Sequence, residues 1–106
     1  LSALSAGKVK DVVIDTWENE PDINRELLSA AFLATPHIAG YSADGKANAT
    51  RMSLEALCRF FGIEADFTIL PPEGPSDYDP TRDSDWLKAS PEKFEWFRGN
   101  YPIRRE

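Results

Sequence analysis

The chain has 106 residues, of which 42% are hydrophobic and 28% charged, and a formal net charge of −6; this is enough for one small soluble domain with a core. The acidic balance argues against nucleic acid as a partner, because phosphate binding needs clustered Lys and Arg, whereas seven acids from Glu64 to Asp85 face only Arg82. No apolar run approaches the roughly 20 residues that span a bilayer, and the single cysteine, Cys58, excludes an internal disulfide and a multi-cysteine zinc site, so neither a membrane nor a metal is expected.

Leu1 to Ala6 reads as a helix end, with Gly7 in a C-terminal capping position and Lys8 and Lys10 complementing the dipole. A chain that opens with Leu inside such a helix is expected to be a piece of something longer. Asp11-Val12-Val13-Ile14-Asp15 is β-branched and continuous, the pattern of a short buried strand in a parallel sheet. Trp17 to Asp22 reads as a loop, stopped by Pro21. Ile23 to Ala30 follows as a short helix, with Asp22 as the expected N-cap and Leu27 and Leu28 facing inward. A second buried strand is expected over Phe32 to Thr35. Strand, helical crossover and strand together predict a right-handed parallel βαβ arrangement, so the fold class is α/β.

From Ala43 to Phe61 the pattern is helical. Ala47, Thr50, Leu54, Leu57 and Phe61 recur on one face, Ser42 caps the start, Asp44 suits the first turn and Gly62 ends it. The small residues Ala43, Gly45, Ala47 and Ala49 leave room for another segment to cross. Cys58, on this helix, is expected to be a buried, unreactive thiol in a reducing, cytoplasmic setting. Phe67 to Leu70 reads as a short strand or an extended arm. Four prolines between Pro71 and Pro80 mark an irregular stretch. One helical turn is expected over Asp85 to Lys88, and a helix starting at Ser90-Pro91-Glu92 carries Phe94 and Phe97 and stops at Gly99.

The chemistry gathers around the only histidine, in Thr35-Pro36-His37-Ile38-Ala39-Gly40-Tyr41, at the end of the second strand. In open α/β sheets reacting groups sit at the carboxyl ends of strands. Asp15 and Glu20 follow the first strand, and adjacent parallel strands bring both close to His37. A lone histidine is more often a satisfied structural residue, whereas a His–carboxylate pair builds a general acid/base near neutral pH. One ring nitrogen is therefore expected roughly 2.6–3.2 Å from the Glu20 carboxylate, with the other facing open space. The sequence has no G-x-G-x-x-G, no P-loop and no serine in a glycine elbow. Glu18 and Asp22 read as solvated loop acids.

Asp15-Thr-Trp-Glu-Asn-Glu20-Pro21, then Leu27-Leu28, then Thr35-Pro36-His37-Ile38-Ala39-Gly40 resembles the C-terminal signature of the NAD-dependent D-2-hydroxyacid dehydrogenases. Trp17, the stretch Gly40 to Ala47, and the tail from Tyr78 through Arg98-Gly99-Asn100-Tyr101 to Glu106 narrow the match to one member with a phosphorylated substrate. The resemblance implies the C-terminal part of a Rossmann-type parallel sheet, a long helix and an irregular helical tail. It divides the chain into the end of an NAD-binding domain (1–40), a connecting helix (41–62) and a dimerisation segment (63–106) kept out of the active site. It makes His37 the acid/base on the 2-hydroxyl and Glu20 the carboxylate that orients it. Asp15 would contact the nicotinamide carboxamide, Gly40 would approach the NAD cofactor, and Tyr41 would touch the phosphorylated end of a small 2-hydroxy acid. A glycine-rich phosphate loop and a substrate-gripping arginine lie upstream in such enzymes. Another member of the family, or a non-catalytic homodimerisation module rich in Phe94, Trp96, Phe97 and Tyr101, are the competing readings.

Overall fold

The computed structural model describes residues 1–65, 67–76 and 78–106, and it forms two compact units. The first unit comprises residues 1–39 and 79–101, the second residues 40–78 and 102–106. The architecture is helical with one two-stranded parallel sheet.

In the first unit, α1 (Ser2–Ser5) closes at Gly7, whose φ of 67° is the left-handed conformation a glycine adopts freely. The Gly7 N–H reaches the Leu4 carbonyl and the Lys8 N–H the Ala3 carbonyl, the paired closure that satisfies a helix's last carbonyls. The strands β1 (Val13–Ile14) and β2 (Leu33–Ala34) run parallel, with Val13 opposite Leu33 and Ile14 opposite Ala34. Between them lies α2 (Arg25–Ala30). Its N-cap is Asn24, not Asp22: the Asn24 side chain accepts the Leu27 N–H at 2.8 Å, one helical turn ahead of it. Leu28 is buried in the core and Leu27 packs against it, as their spacing predicts.

The strands differ from expectation in burial. Ala34 is fully buried, but Val13 is 68% and Phe32 66% exposed. The cover over Ala34 comes from the tail. Helix α4 (Pro80–Ala89) packs on β2, and its Ser84 Oγ accepts the Ala34 N–H at 3.0 Å across 50 residues of sequence. The Lys88 ammonium donates to the Ala31 carbonyl. This helix has ten residues rather than the single turn expected, because Asp79 caps it and Pro80 occupies its first turn, where a missing N–H costs nothing. A 3-10 turn (Pro91–Lys93) leads into α5 (Phe94–Gly99). Trp17, Ile23, Leu28, Ala31, Ala34, Leu87 and Phe94 form one core drawn from both stretches of the unit.

The second unit holds α3 (Ala43–Phe61), bounded as its sequence predicts. Ser42 Oγ accepts the Gly45 N–H, and Gly62, at φ 64°, closes the other end. The room left by the small residues is used: a Cβ on Gly45 would stand 3.6 Å from Glu106 Oε1, and the Ala43 N–H donates to the Arg104 carbonyl at 2.8 Å. Asp44 clasps Arg105 through two 2.8 Å hydrogen bonds and also accepts the Glu106 N–H. The expected packing face is uncovered here, with Leu57 and Phe61 both exposed. Residues 67–70 form no strand. Cys58 is half-buried rather than buried and lines an open groove of about 420 Å³ with Arg51, Glu55 and Ile63. Among the described residues, no helix is long and apolar enough to cross a membrane, and no group of three or more His, Cys, Asp or Glu is placed to hold a metal ion.

Two outcomes follow. Replacing Ser84 with Ala strands the buried Ala34 N–H, and chemical unfolding should show a loss of about 1–3 kcal/mol. The Arg105 hydrogen bonds and the Glu106 N–H outweigh desolvation and hold Asp44 down at about 2, from an ordinary 3.8. Its contribution is present above the ordinary value and lost as pH falls towards 2. In an NMR acid titration the Arg105 Nε–H signal should persist past the range where free aspartate protonates, and in Asp44→Asn it should show no step there.

Candidate active site

The site is built on the loops that follow β1 and β2. Asp15 leaves β1, and its carboxylate gathers the loop after β2. Oδ1 accepts the Thr35 hydroxyl at 2.7 Å and the Ile38 N–H at 2.8 Å, while Oδ2 accepts the Ala39 N–H at 2.9 Å. Trp17 fixes the same loop from below, its buried indole N–H donating to the Thr35 carbonyl at 2.9 Å. An indole is buried cheaply only when that N–H has a partner.

Glu20 reaches back to its own loop and across to the histidine. Oε1 accepts the Trp17 N–H at 2.7 Å, and Oε2 lies 2.8 Å from His37 Nδ1, within the distance range expected for such a pair. Burial opposes ionisation of Glu20, but the hydrogen bonds from His37 and Trp17 and the charges of His37 and Arg98 prevail, so its pKa lies below the ordinary value. The stabilisation from these contacts is complete above the ordinary glutamate range and is lost as pH falls through the lowered value. An ionised carboxylate only accepts, so the hydrogen of this bond sits on Nδ1. The ring is 39% exposed, against 18% for the Glu20 side chain. Among the described residues nothing hydrogen-bonds Nε2.

His37 itself has φ 54°, a left-handed backbone that is uncommon outside glycine. Such a conformation costs on the order of 1–3 kcal/mol and persists only where neighbours over-determine it. Here the neighbours are visible: Asp15 on the following N–H groups, Trp17 on the Thr35 carbonyl, and Arg98, whose Nε donates to the His37 carbonyl at 3.3 Å.

Compared with known proteins, the chain matches no family model. Along its whole length it is 58% identical to a Bacteroides fragilis protein, 52% to one from Bacteroides thetaiotaomicron and 42% to one from Porphyromonas gingivalis. All three are named erythronate-4-phosphate dehydrogenase. The chain spans about a third of their length, 34% of each.

The site residues expected from sequence fall into two groups. Asp15, Glu20 and His37 come together in the first unit. Gly40 and Tyr41 belong to the second. Gly40 has φ 76° with open space where a side chain would stand, and the Lys46 ammonium lies 4.7 Å over the Tyr41 ring. Arg98 escaped the sequence reading because it sits in the segment expected to stay clear of the active site. No spacing rule links it to His37, 61 residues away. The Lys46–Tyr41 contact, between the first turn of α3 and the residue before its cap, also has no sequence signature.

Because Asp15 organises the histidine loop, Asp15→Asn should speed amide exchange at Ile38 and Ala39 more than at Leu28 in the core. Hydrogen–deuterium exchange read by mass spectrometry or NMR checks this, and uniform exchange changes would make Asp15 a generic stability residue.

Proposed function

We propose that the chain is the C-terminal third of a cytoplasmic, homodimeric, NAD-dependent 4-phosphoerythronate dehydrogenase. It would oxidise the 2-hydroxyl of 4-phospho-D-erythronate to the 2-oxo acid, in vitamin B6 biosynthesis. The observation that carries the reading is the Glu20–His37 pair, 2.8 Å apart at the end of a parallel strand, in a chain whose relatives bear that enzyme's name. When bound, the nicotinamide supplies the hydride acceptor. His37 Nε2 takes the proton from the 2-hydroxyl as the carbonyl forms, and returns it in the reverse direction. Glu20 keeps the ring in the Nδ1–H form and stabilises the imidazolium that results.

The residues present fit a nicotinamide. Asp15 Oδ2 accepts one hydrogen bond from the described residues and retains capacity for a second, the chemistry a carboxamide N–H needs. Gly40 leaves room for close approach of a ligand. Tyr41, with the cation of Lys46 above it, suits the phosphorylated end of the substrate. Residues 1–40 would then end an NAD-binding Rossmann-type domain, 41–62 would connect it, and 63–106 would take part in the dimer. Met52, Leu57, Phe60, Phe61 and Ile63, all exposed in the second unit, are the apolar surface that a second copy or the rest of the enzyme would cover.

In the full-length enzyme, His37→Gln should lower kcat by roughly 10²–10⁴ while NAD still binds. Tyr41→Phe should weaken the phosphorylated substrate more than an unphosphorylated analogue, by about 1.5–3 kcal/mol for the lost hydrogen bond to charge. Steady-state kinetics on both substrates and NAD titration read these outcomes. Retained kcat in His37→Gln would exclude the acid/base role.

A further inference from the structure

We propose that Arg98 is a positioning residue for His37: it clamps the His37–Ile38 peptide and so fixes the backbone from which the imidazole meets Glu20. The inference rests on the acid/base reading of His37. The peptide joining His37 to Ile38 is gripped at both ends. Its carbonyl accepts the Arg98 Nε–H at 3.3 Å, and its N–H donates to Asp15 Oδ1 at 2.8 Å. A peptide is planar, so two partners on opposite sides of it fix its rotation about the neighbouring bonds. The residue whose conformation this sets is His37, one of two non-glycine residues with positive φ among those described. Releasing the carbonyl lets the backbone relax towards the ordinary regions, which swings the imidazole away from Glu20.

The guanidinium is held in turn. Arg98 Nη1 pairs with Glu95 Oε1 at 3.0 Å, one turn back on α5. Phe94 is fully buried, the Phe97 ring stacks on Trp86 of α4, and the Tyr101 hydroxyl donates to Asp83 Oδ2 at 2.6 Å. These contacts anchor α5 to α4, and α4 is anchored to β2. Arg98 also places positive charge near Glu20, which favours the carboxylate that accepts from His37.

The test uses the full-length enzyme labelled with ¹⁵N-histidine, the His37 signals being identified by their loss in His37→Gln. Imidazole ¹⁵N shifts report which ring nitrogen carries hydrogen, and a free neutral imidazole favours Nε2–H. In the unmodified enzyme neutral His37 should carry hydrogen on Nδ1. Arg98→Met should move it towards the Nε2–H form and lower kcat about tenfold with KM little changed, and Arg98→Lys should restore part of both. Asp44→Asn, which breaks the Arg105 clasp in the second unit, should leave the tautomer in place. An unchanged tautomer in Arg98→Met, or the same shift in Asp44→Asn, overturns the positioning role. If the unmodified enzyme already shows Nε2–H, or Glu20→Gln leaves the ring unaffected, the acid/base reading itself fails.

Discussion

The Asp15 carboxylate is the constraint on which the histidine loop depends. Three donors from Thr35, Ile38 and Ala39 converge on its two oxygens. They hold in place a loop that contains a proline, a residue with left-handed backbone and no regular hydrogen-bonding partner of its own. Backbone N–H groups in such a loop need acceptors, and an ionised carboxylate at the end of the neighbouring strand is a strong one. The parallel pairing of β1 with β2 matters because it delivers that carboxylate to the right height. A shift of one residue in the register would turn Asp15 to the other side of the sheet.

Division of labour between the acids follows from this geometry. Asp15 accepts from three groups of the loop after β2, two of them backbone N–H groups, and so shapes the loop. Glu20 divides its two oxygens between the Trp17 N–H and the His37 ring and so addresses the imidazole. Two carboxylates five residues apart thus serve different ends because one leaves the strand directly and the other comes after a turn through Asn19, at φ 60°. Asparagine tolerates that conformation better than most residues.

Much of this was legible in the sequence, and for identifiable reasons. The strands, α2 and α3 are specified by local signals: β-branched runs, helical spacing, Ser42 and Gly62 at the caps. Glu20 and His37 were legible as a pair because the strands on either side of a short helix lie side by side. Burial was less legible. A continuous apolar run predicts a covered strand, yet Val13 and Phe32 are exposed, because the run alone does not say which elements pack on it. Helix α4 was read too short because Pro80 resembles the prolines before it, although Asp79 ahead of it makes a helix start. The contacts of Ser84, Lys88 and Arg98 with the first stretch carry no local signature at all, since they join residues 50 to 61 positions apart.

The order of the first unit along the chain has a consequence for its synthesis. Residues 1–39 and 79–101 make one compact body with the second unit's long helix spelled out between them. During translation Asp15, Glu20 and His37 emerge early, yet the Ala34 N–H and the His37 carbonyl wait for acceptor and donor until the second stretch arrives. The closing contacts are long-range, so the loop entropy must be met before they give any return. A nascent chain therefore carries Asp15, Glu20 and His37 for some time without the scaffold that aims them, and a product cut short before α4 would look intact in its motif and be slack in its geometry.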